Sequence, residues 1–214
     1  MRKTFSTWKN EHKVKKITFY MNKVKEYIDN KDWYKKSYDM FKNIYKDKSD
    51  LFIGILASCS QQNTVEANLS YAIEIFNAIM DNKDYHSINT GIADWKIKEN
   101  IRDFLNDKEL KGNKIKAFYE ALSNTKDSIV IDRWTLRVFN INNRDAPTKK
   151  DIEYITKIIN DIAKRLNMLN SEVQACLWSY AKNELSDKEY YKDYSDYSKY
   201  FKNTLEYYRL KDSI

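Results

Sequence analysis

With 214 residues, 42% of them hydrophobic and including 17 Tyr, 9 Phe and 5 Trp, the chain can bury a sizeable core within one domain, which excludes disorder throughout. Three Gly and one Pro are too few for the tight turns of a many-stranded sandwich or barrel, so helices are expected. The 38 Lys and Arg against 31 Asp and Glu leave a formal charge of +7, which favours a polyanionic partner, while two cysteines are too few for a disulfide framework or a four-cysteine metal or iron–sulfur site.

In chain order, the opening MRKTFSTWKNEHK lacks the apolar run of a signal peptide, and no eighteen-residue apolar stretch follows anywhere, so a cytoplasmic protein without a membrane span is expected. Ile17, Tyr20, Met21, Val24, Tyr27 and Ile28 recur at three- and four-residue spacings and predict an amphipathic helix. A second, short helix is expected from Trp33 to Tyr45. The apolar run at residues 51–57 fits a strand or a helix by periodicity alone. The pattern that follows it, with Val65, Leu69, Ala72, Ile73, Phe76 and Ile79 on one broad face, argues for helix, polar break, helix. Asn63 or Thr64 then caps the second of these.

Further helices are expected through Trp95 to Leu105 and from Lys114 to Leu122, the latter after a tight turn at Gly112. The β-branched stretch 128–132 reads as extended before a helix starting near Arg133. Ile152, Ile155, Ile158, Ile159, Ile162 and Leu166 form a helical stripe beyond Pro147, and Asn170-Ser171 is expected to cap a last core helix containing Gln174, Cys176 and Trp178. Cys59 and Cys176 read as buried thiols. Residues 185–214 form a Tyr/Lys/Asp-rich tail that reads as an amphipathic helix packed back on the domain, or as a set of aromatics able to stack on unpaired bases. The fold class expected is all-α, eight to ten helices in a single domain, with 51–140 as its central core, 1–50 and 148–184 completing a second lobe, and 185–214 as the tail.

Three spacings in the middle of the chain carry a resemblance. The run from Ile55 to Asn68 holds an apolar helix, then Gln61, with Asn68 seven residues later. Gly91-Ile-Ala-Asp-Trp-Lys96 leads to Asn100-Ile101. Leu110-Lys111-Gly112-Asn113-Lys114 precedes Val130-Ile131-Asp132 and Arg137, with Lys114 eighteen residues ahead of Asp132. Together they resemble the helix-hairpin-helix DNA glycosylase superfamily, to which endonuclease III belongs. The resemblance implies a two-lobed helical fold with a cleft that takes double-stranded DNA, and a monomer is expected. Some members carry a four-cysteine cluster, which two cysteines cannot build, so no cofactor and no metal are expected.

It also implies roles. Asp132 is the carboxylate that stabilises an oxocarbenium-like sugar and orients water or an amine. Lys114 is the amine that forms a Schiff base and adds lyase activity. Gln61 fills the gap left by a flipped base. Asn68, Gly112 and Lys111 contact DNA, the turn at Gly112 by its backbone N–H groups, and Arg133 and Arg137 either contact phosphate too or pair with Asp132. Read without the resemblance, Asp132 is an N-cap, Lys114 a solvated lysine, Gln61 a loop residue, and Gln174 and Trp178 packing residues of the last helix, although a Gln beside a Trp can also read a base edge.

The helix from Lys114 to Tyr119 ahead of Asp132, with Glu172-Val173-Gln174 and Trp178 near the end, also resembles small phage-encoded proteins of glycosylase-type fold, some relatives of which are thought to modify a hypermodified thymine without excising it. On that resemblance Asp132 and Tyr119 line a pocket for an altered base. A non-catalytic DNA-binding helical module is the third function class compatible with the basic, aromatic composition.

Overall fold

The computed structural model describes residues 5–186 together with Tyr194 and Phe201, with residues 5–15 described through their backbone alone. Among the described residues there are nine α-helices and no strand. They are α1 (Phe5–Glu26), α2 (Trp33–Tyr45), α3 (Ser49–Cys59), α4 (Val65–Met80), α5 (Asp94–Leu105), α6 (Asn113–Leu122), α7 (Arg133–Val138), α8 (Lys149–Leu166) and α9 (Asn170–Glu184). The all-α class expected from composition is what the chain adopts. No helix among the described residues is long and apolar enough to cross a membrane.

Two compact units share the chain. The first takes the described residues of Met1–Trp33 and Asp127–Tyr191, the second those of Tyr34–Lys126 and Lys192–Ile214. The boundary thus leaves residues 34–50 with the segment that follows them, and residues 127–140 with the C-terminal helices.

In the first unit, α9 packs against α1, α7 and α8. Its core joins Ile17, Tyr20 and Val24 of α1 to Leu136, Ile155, Ile159, Ile162, Val173 and Leu177. Each such side chain contributes roughly 1.5–3 kcal/mol by leaving water. The Ile stripe of α8 faces this core, as its spacing predicts. Segment 127–132 belongs to no helix or strand, and Asp132 at its end is extended.

The start of α9 departs from the sequence expectation. Asn170 and Ser171 do not cap it; they are its first residues, and both are themselves capped by Asp127. One Asp127 oxygen accepts from Asn170 N (2.9 Å) and Nδ2 (3.0 Å), the other from Ser171 N (2.8 Å) and Oγ (2.9 Å). A carboxylate from 43 residues upstream therefore does what a local side chain does elsewhere, because the first turn of any helix has N–H groups without intrahelical partners.

Helix α8 begins with a reciprocal cap. Asp151 Oδ2 accepts from Thr148 N (2.8 Å), while Thr148 Oγ1 accepts from Asp151 N (3.3 Å). Arg144 adds a fork to the same carboxylate, Nε at 3.0 Å and Nη2 at 2.9 Å. Arg144 first, then Thr148, hold the Asp151 carboxyl down to about 2 from its ordinary 3.8. A carboxyl depressed in the folded state stabilises fully above its unfolded pKa and loses that contribution as pH falls through the folded one. Acid unfolding followed by circular dichroism should therefore show stability lost between about pH 4 and pH 2 in the wild type, and a shallower loss over that window in Asp151→Asn.

In the second unit, α3 is apolar nearly all round and is buried from Phe52 to Cys59, so it lies at the centre, against α4, α5 and α6. The run at residues 51–57 is thus a helix. Tyr45 stacks on Phe52 (3.9 Å between ring centroids) and meets Phe76 edge-on (4.8 Å). Thr64 caps α4 through Oγ1, which accepts Ala67 N at 3.2 Å. Of the C-terminal tail, most lies outside the described residues, and with it most of the stacking and amphipathic-helix readings. Tyr194 and Phe201 are each 1% exposed and pack on Phe41 at 5.3 and 6.4 Å, so these two rings are core residues and not a stacking surface.

Candidate functional site

Within the first unit, the residues with chemistry gather around the start of α7. Asp132 is its N-cap, in extended backbone conformation, and its Oδ1 accepts Thr135 N at 2.9 Å. The Thr135 hydroxyl lies 3.1 Å from both Asp132 Oδ1 and Val130 O and donates its one proton to either. Asp132 Oδ2 accepts Trp178 Nε1 at 3.2 Å. The carboxylate is thereby held from α7 on one oxygen and from α9 on the other, while the side chain stays half-buried. The N-cap reading of Asp132 is confirmed, and a chemical role is compatible with it.

Lys182 stands four residues after Trp178, one turn on along the same face of α9. Its Nζ is 4.4 Å from the centre of the Trp134 ring and 5.7 Å from that of Trp178. Burial pushes the Lys182 ammonium down from the ordinary lysine value, Asp132 opposes this, and Arg133 reinforces it. Arg137 lays its guanidinium 4.8 Å from the Trp134 ring and reaches Asp145 at 3.5 Å, while Arg133 is exposed. Trp33 continues the aromatic row, 6.1 Å from Trp178. Gln174 is 2% exposed and sits among the core residues of α9, in keeping with its packing reading.

The second unit holds the remaining residues singled out in the sequence. Lys114, in the first turn of α6, donates from Nζ to Ser60 O at 2.6 Å. Ser60 is the C-cap of α3, and a lysine on a terminal helix carbonyl is a favourable tie. Gln61 is half-buried, and its Nε2 is buried without a hydrogen-bond partner. Asn63 Nδ2 donates to Cys59 O (2.8 Å) and Thr90 O (3.4 Å), joining the break after α3 to the loop before α5. Asn68 is 3% exposed and its Nδ2 donates to the phenolic Oη of Tyr194 at 2.9 Å. It is a core residue and is not displayed to a duplex.

Gly112 adopts φ +98°, as a tight turn requires. The phosphate grip expected of this turn is already spoken for at Lys111. The Lys111 backbone N donates to Asn100 Oδ1 at 2.7 Å, and its Nζ pairs with Asp103 (2.7 Å) and Glu99 (3.0 Å). Tyr119 meets Phe104 edge-on at 5.4 Å and lines a groove of about 630 Å³ with Leu105, Leu110, Lys116 and Lys126. Lys116 is paired with Glu109 at 2.8 Å and Lys126 with Glu120 at 2.9 Å, so the groove wall is neutralised internally.

Asp132, Arg133, Arg137 and Trp178 therefore share one unit, and Lys114, Gln61, Lys111, Gly112 and Tyr119 the other. Lys182, Trp134 and Trp33 were not singled out in the sequence. The available signal was the four-residue spacing from Trp178 to Lys182 and the two-residue spacing from Asp132 to Trp134. Both cysteines are buried, and burial raises both thiols, Cys176 to about 12, which makes neither a nucleophile. Among the described residues no three His, Cys, Asp or Glu side chains come together as a metal centre would need.

No functionally curated protein and no solved structure matches the chain. A match to one protein family spans residues 3–185. The chain belongs to that family, a family of unknown function designated DUF7178.

Proposed function

We propose that the protein cleaves the N-glycosidic bond of a damaged or modified base in DNA, with Asp132 as the residue that acts on the sugar. The observation that carries the reading is the fixed carboxylate, with Thr135 N and Trp178 Nε1 on separate oxygens and a half-buried lysine and indoles beside it. As the bond from C1′ to the base lengthens, positive charge grows on the sugar, and a carboxylate already held in place stabilises it without reorganising. The same group orients the incoming water and takes its proton. The glycosylase-type fold implied by the sequence resemblance is part of this proposal.

The DNA partner is supported by the net charge of +7 and by an exposed apolar display in the second unit. Ile92 is 88% and Trp95 65% exposed, with Lys96 Nζ 5.2 Å from the Trp95 ring. The turn that carries Ile92 and the first turn of α5 that carries Trp95 are tied down rather than loose. Asp94 Oδ1 accepts Thr90 N (2.9 Å) and Oγ1 (2.8 Å), and Lys98 pairs with Asp94 Oδ2 at 2.7 Å. A helix start held in this way, with apolar side chains kept in water, suits an unstacked base.

Mass spectrometry of small molecules released from duplexes carrying normal, damaged and hypermodified bases tests the proposal. A free base released by the wild type is the expected result. Intact DNA with an altered base mass would replace excision with modification. Binding that weakens steeply with salt, with no chemical change in any duplex, would leave a binding module.

A further inference from the structure

We propose that Lys182 is a Schiff-base-forming amine that acts beside Asp132 on C1′ of the sugar, an inference that rests on the base-excision reading above. Three features of the first unit point to this side chain. Its Nζ lies 4.4 Å from the Trp134 ring centre and 5.7 Å from that of Trp178, so indoles displace water around the amine. Trp178 in turn donates to Asp132 Oδ2, which ties the amine's aromatic surround to the carboxylate. Its helix is rigidly held at this point, since Ser179, Tyr180 and Ala181 are all buried, and a site on a packed helix keeps its geometry better than one on a loop.

The charged groups around the amine act in opposite directions. Asp132 favours the ammonium, Arg133 disfavours it, and burial disfavours it most. Arg137, on the same Trp134 ring, adds a second cation to the group. A desolvated lysine near other cations is the setting in which an amine becomes a nucleophile at neutral pH. Lys114 has a different setting, its Nζ donating to the Ser60 carbonyl at 2.6 Å in the other unit, where an ammonium ties α6 to the end of α3.

The neutral Lys182 amine adds through its lone pair to C1′, and the bond from C1′ to the base breaks, the base leaving with that electron pair. One amine proton passes to the departing base, with Asp132 as the carrier between them. Opening of the sugar ring then places a solvent proton on the ring oxygen and leaves a protonated imine between Nζ and C1′.

Borohydride trapping on a duplex containing one abasic site tests the inference without knowledge of the target base. The full chain, Lys182→Ala, Lys182→Arg and Lys114→Ala are compared, with peptide mapping of the adduct and circular dichroism for folding. The expected result is a covalent adduct mapped to Lys182, lost by about tenfold or more in both Lys182 variants and retained in Lys114→Ala. Lys182→Arg keeps a cation against the indoles and removes the nucleophile, so it separates chemistry from folding. An adduct mapped to Lys114 or another lysine, undiminished trapping in Lys182→Arg, or no adduct with the wild type would each overturn the inference. Base release without any adduct would overturn Lys182 as nucleophile while leaving excision intact. An adduct at Lys182 with no base released from any duplex would support the amine and overturn the excision reading.

Discussion

Asp132→Asn should lose base-releasing activity by about 10²–10³-fold, the scale on which a single preorganised electrostatic group contributes to a transition state, while the protein remains folded. Asparagine is as good an N-cap as aspartate, so its carbonyl oxygen can still accept Thr135 N, now at 2.9 Å from Asp132 Oδ1. The amide nitrogen then takes the place of Oδ2 and faces Trp178 Nε1, donor against donor. One hydrogen bond is lost there, which costs about 0.5–1.5 kcal/mol of stability. The catalytic effect expected is far larger than the structural one, and the two are read separately, by product release under saturating DNA and by denaturant unfolding. A drop in activity of only a few fold, in step with the loss of stability, would reduce Asp132 to a cap and remove it from the chemistry.

The parts of this molecule that were readable in the sequence are those whose causes are local. Helix α8 follows from its Ile spacing and from Thr148, and α4 from the cap at Thr64, because amphipathic period and capping act within one or two turns. Asp132 as the start of α7 belongs to the same kind. Partners supplied from afar were not readable. Asp127 caps α9 from 43 residues upstream, Asn68 is claimed by a tyrosine 126 residues later, and Lys114 is engaged by a carbonyl 54 residues earlier. Nothing in the neighbourhood of Asn68 or Lys114 distinguishes a DNA contact from a packing contact. The changes of unit after Trp33 and Lys126 were not readable, since no Gly- or Pro-rich linker marks either position. Lys182 escaped notice because it sits among the many lysines of a basic chain. Only the folded helix, which sets it one turn from Trp178 and beside Trp134, separates it from the others.

A second large effect is expected at Gly54, the one glycine inside a helix. Ala is ordinarily favoured over Gly in a helix interior by roughly 0.5–1 kcal/mol, so Gly54→Ala would be stabilising if α3 stood alone. It does not. A Cβ on residue 54 would run into the Phe104 ring of α5, with Phe104 Cδ1 2.6 Å from it and the outer ring carbons closer still. Relief requires the ring to swing away, yet it is held edge-on against Tyr119 at 5.4 Å. Overpacking of this kind typically costs about 1–3 kcal/mol, which exceeds the helix gain. Gly54→Ala should therefore destabilise the protein by about 1–2 kcal/mol in denaturant unfolding. The sign should reverse in a Phe104→Ala background, where the obstructing ring is gone and only the helical preference for Ala remains. Such a reversal is a coupling between two residues and not a property of either. If Gly54→Ala destabilises by the same amount with and without the ring, the close approach of α5 to α3 at this position is not what keeps residue 54 a glycine.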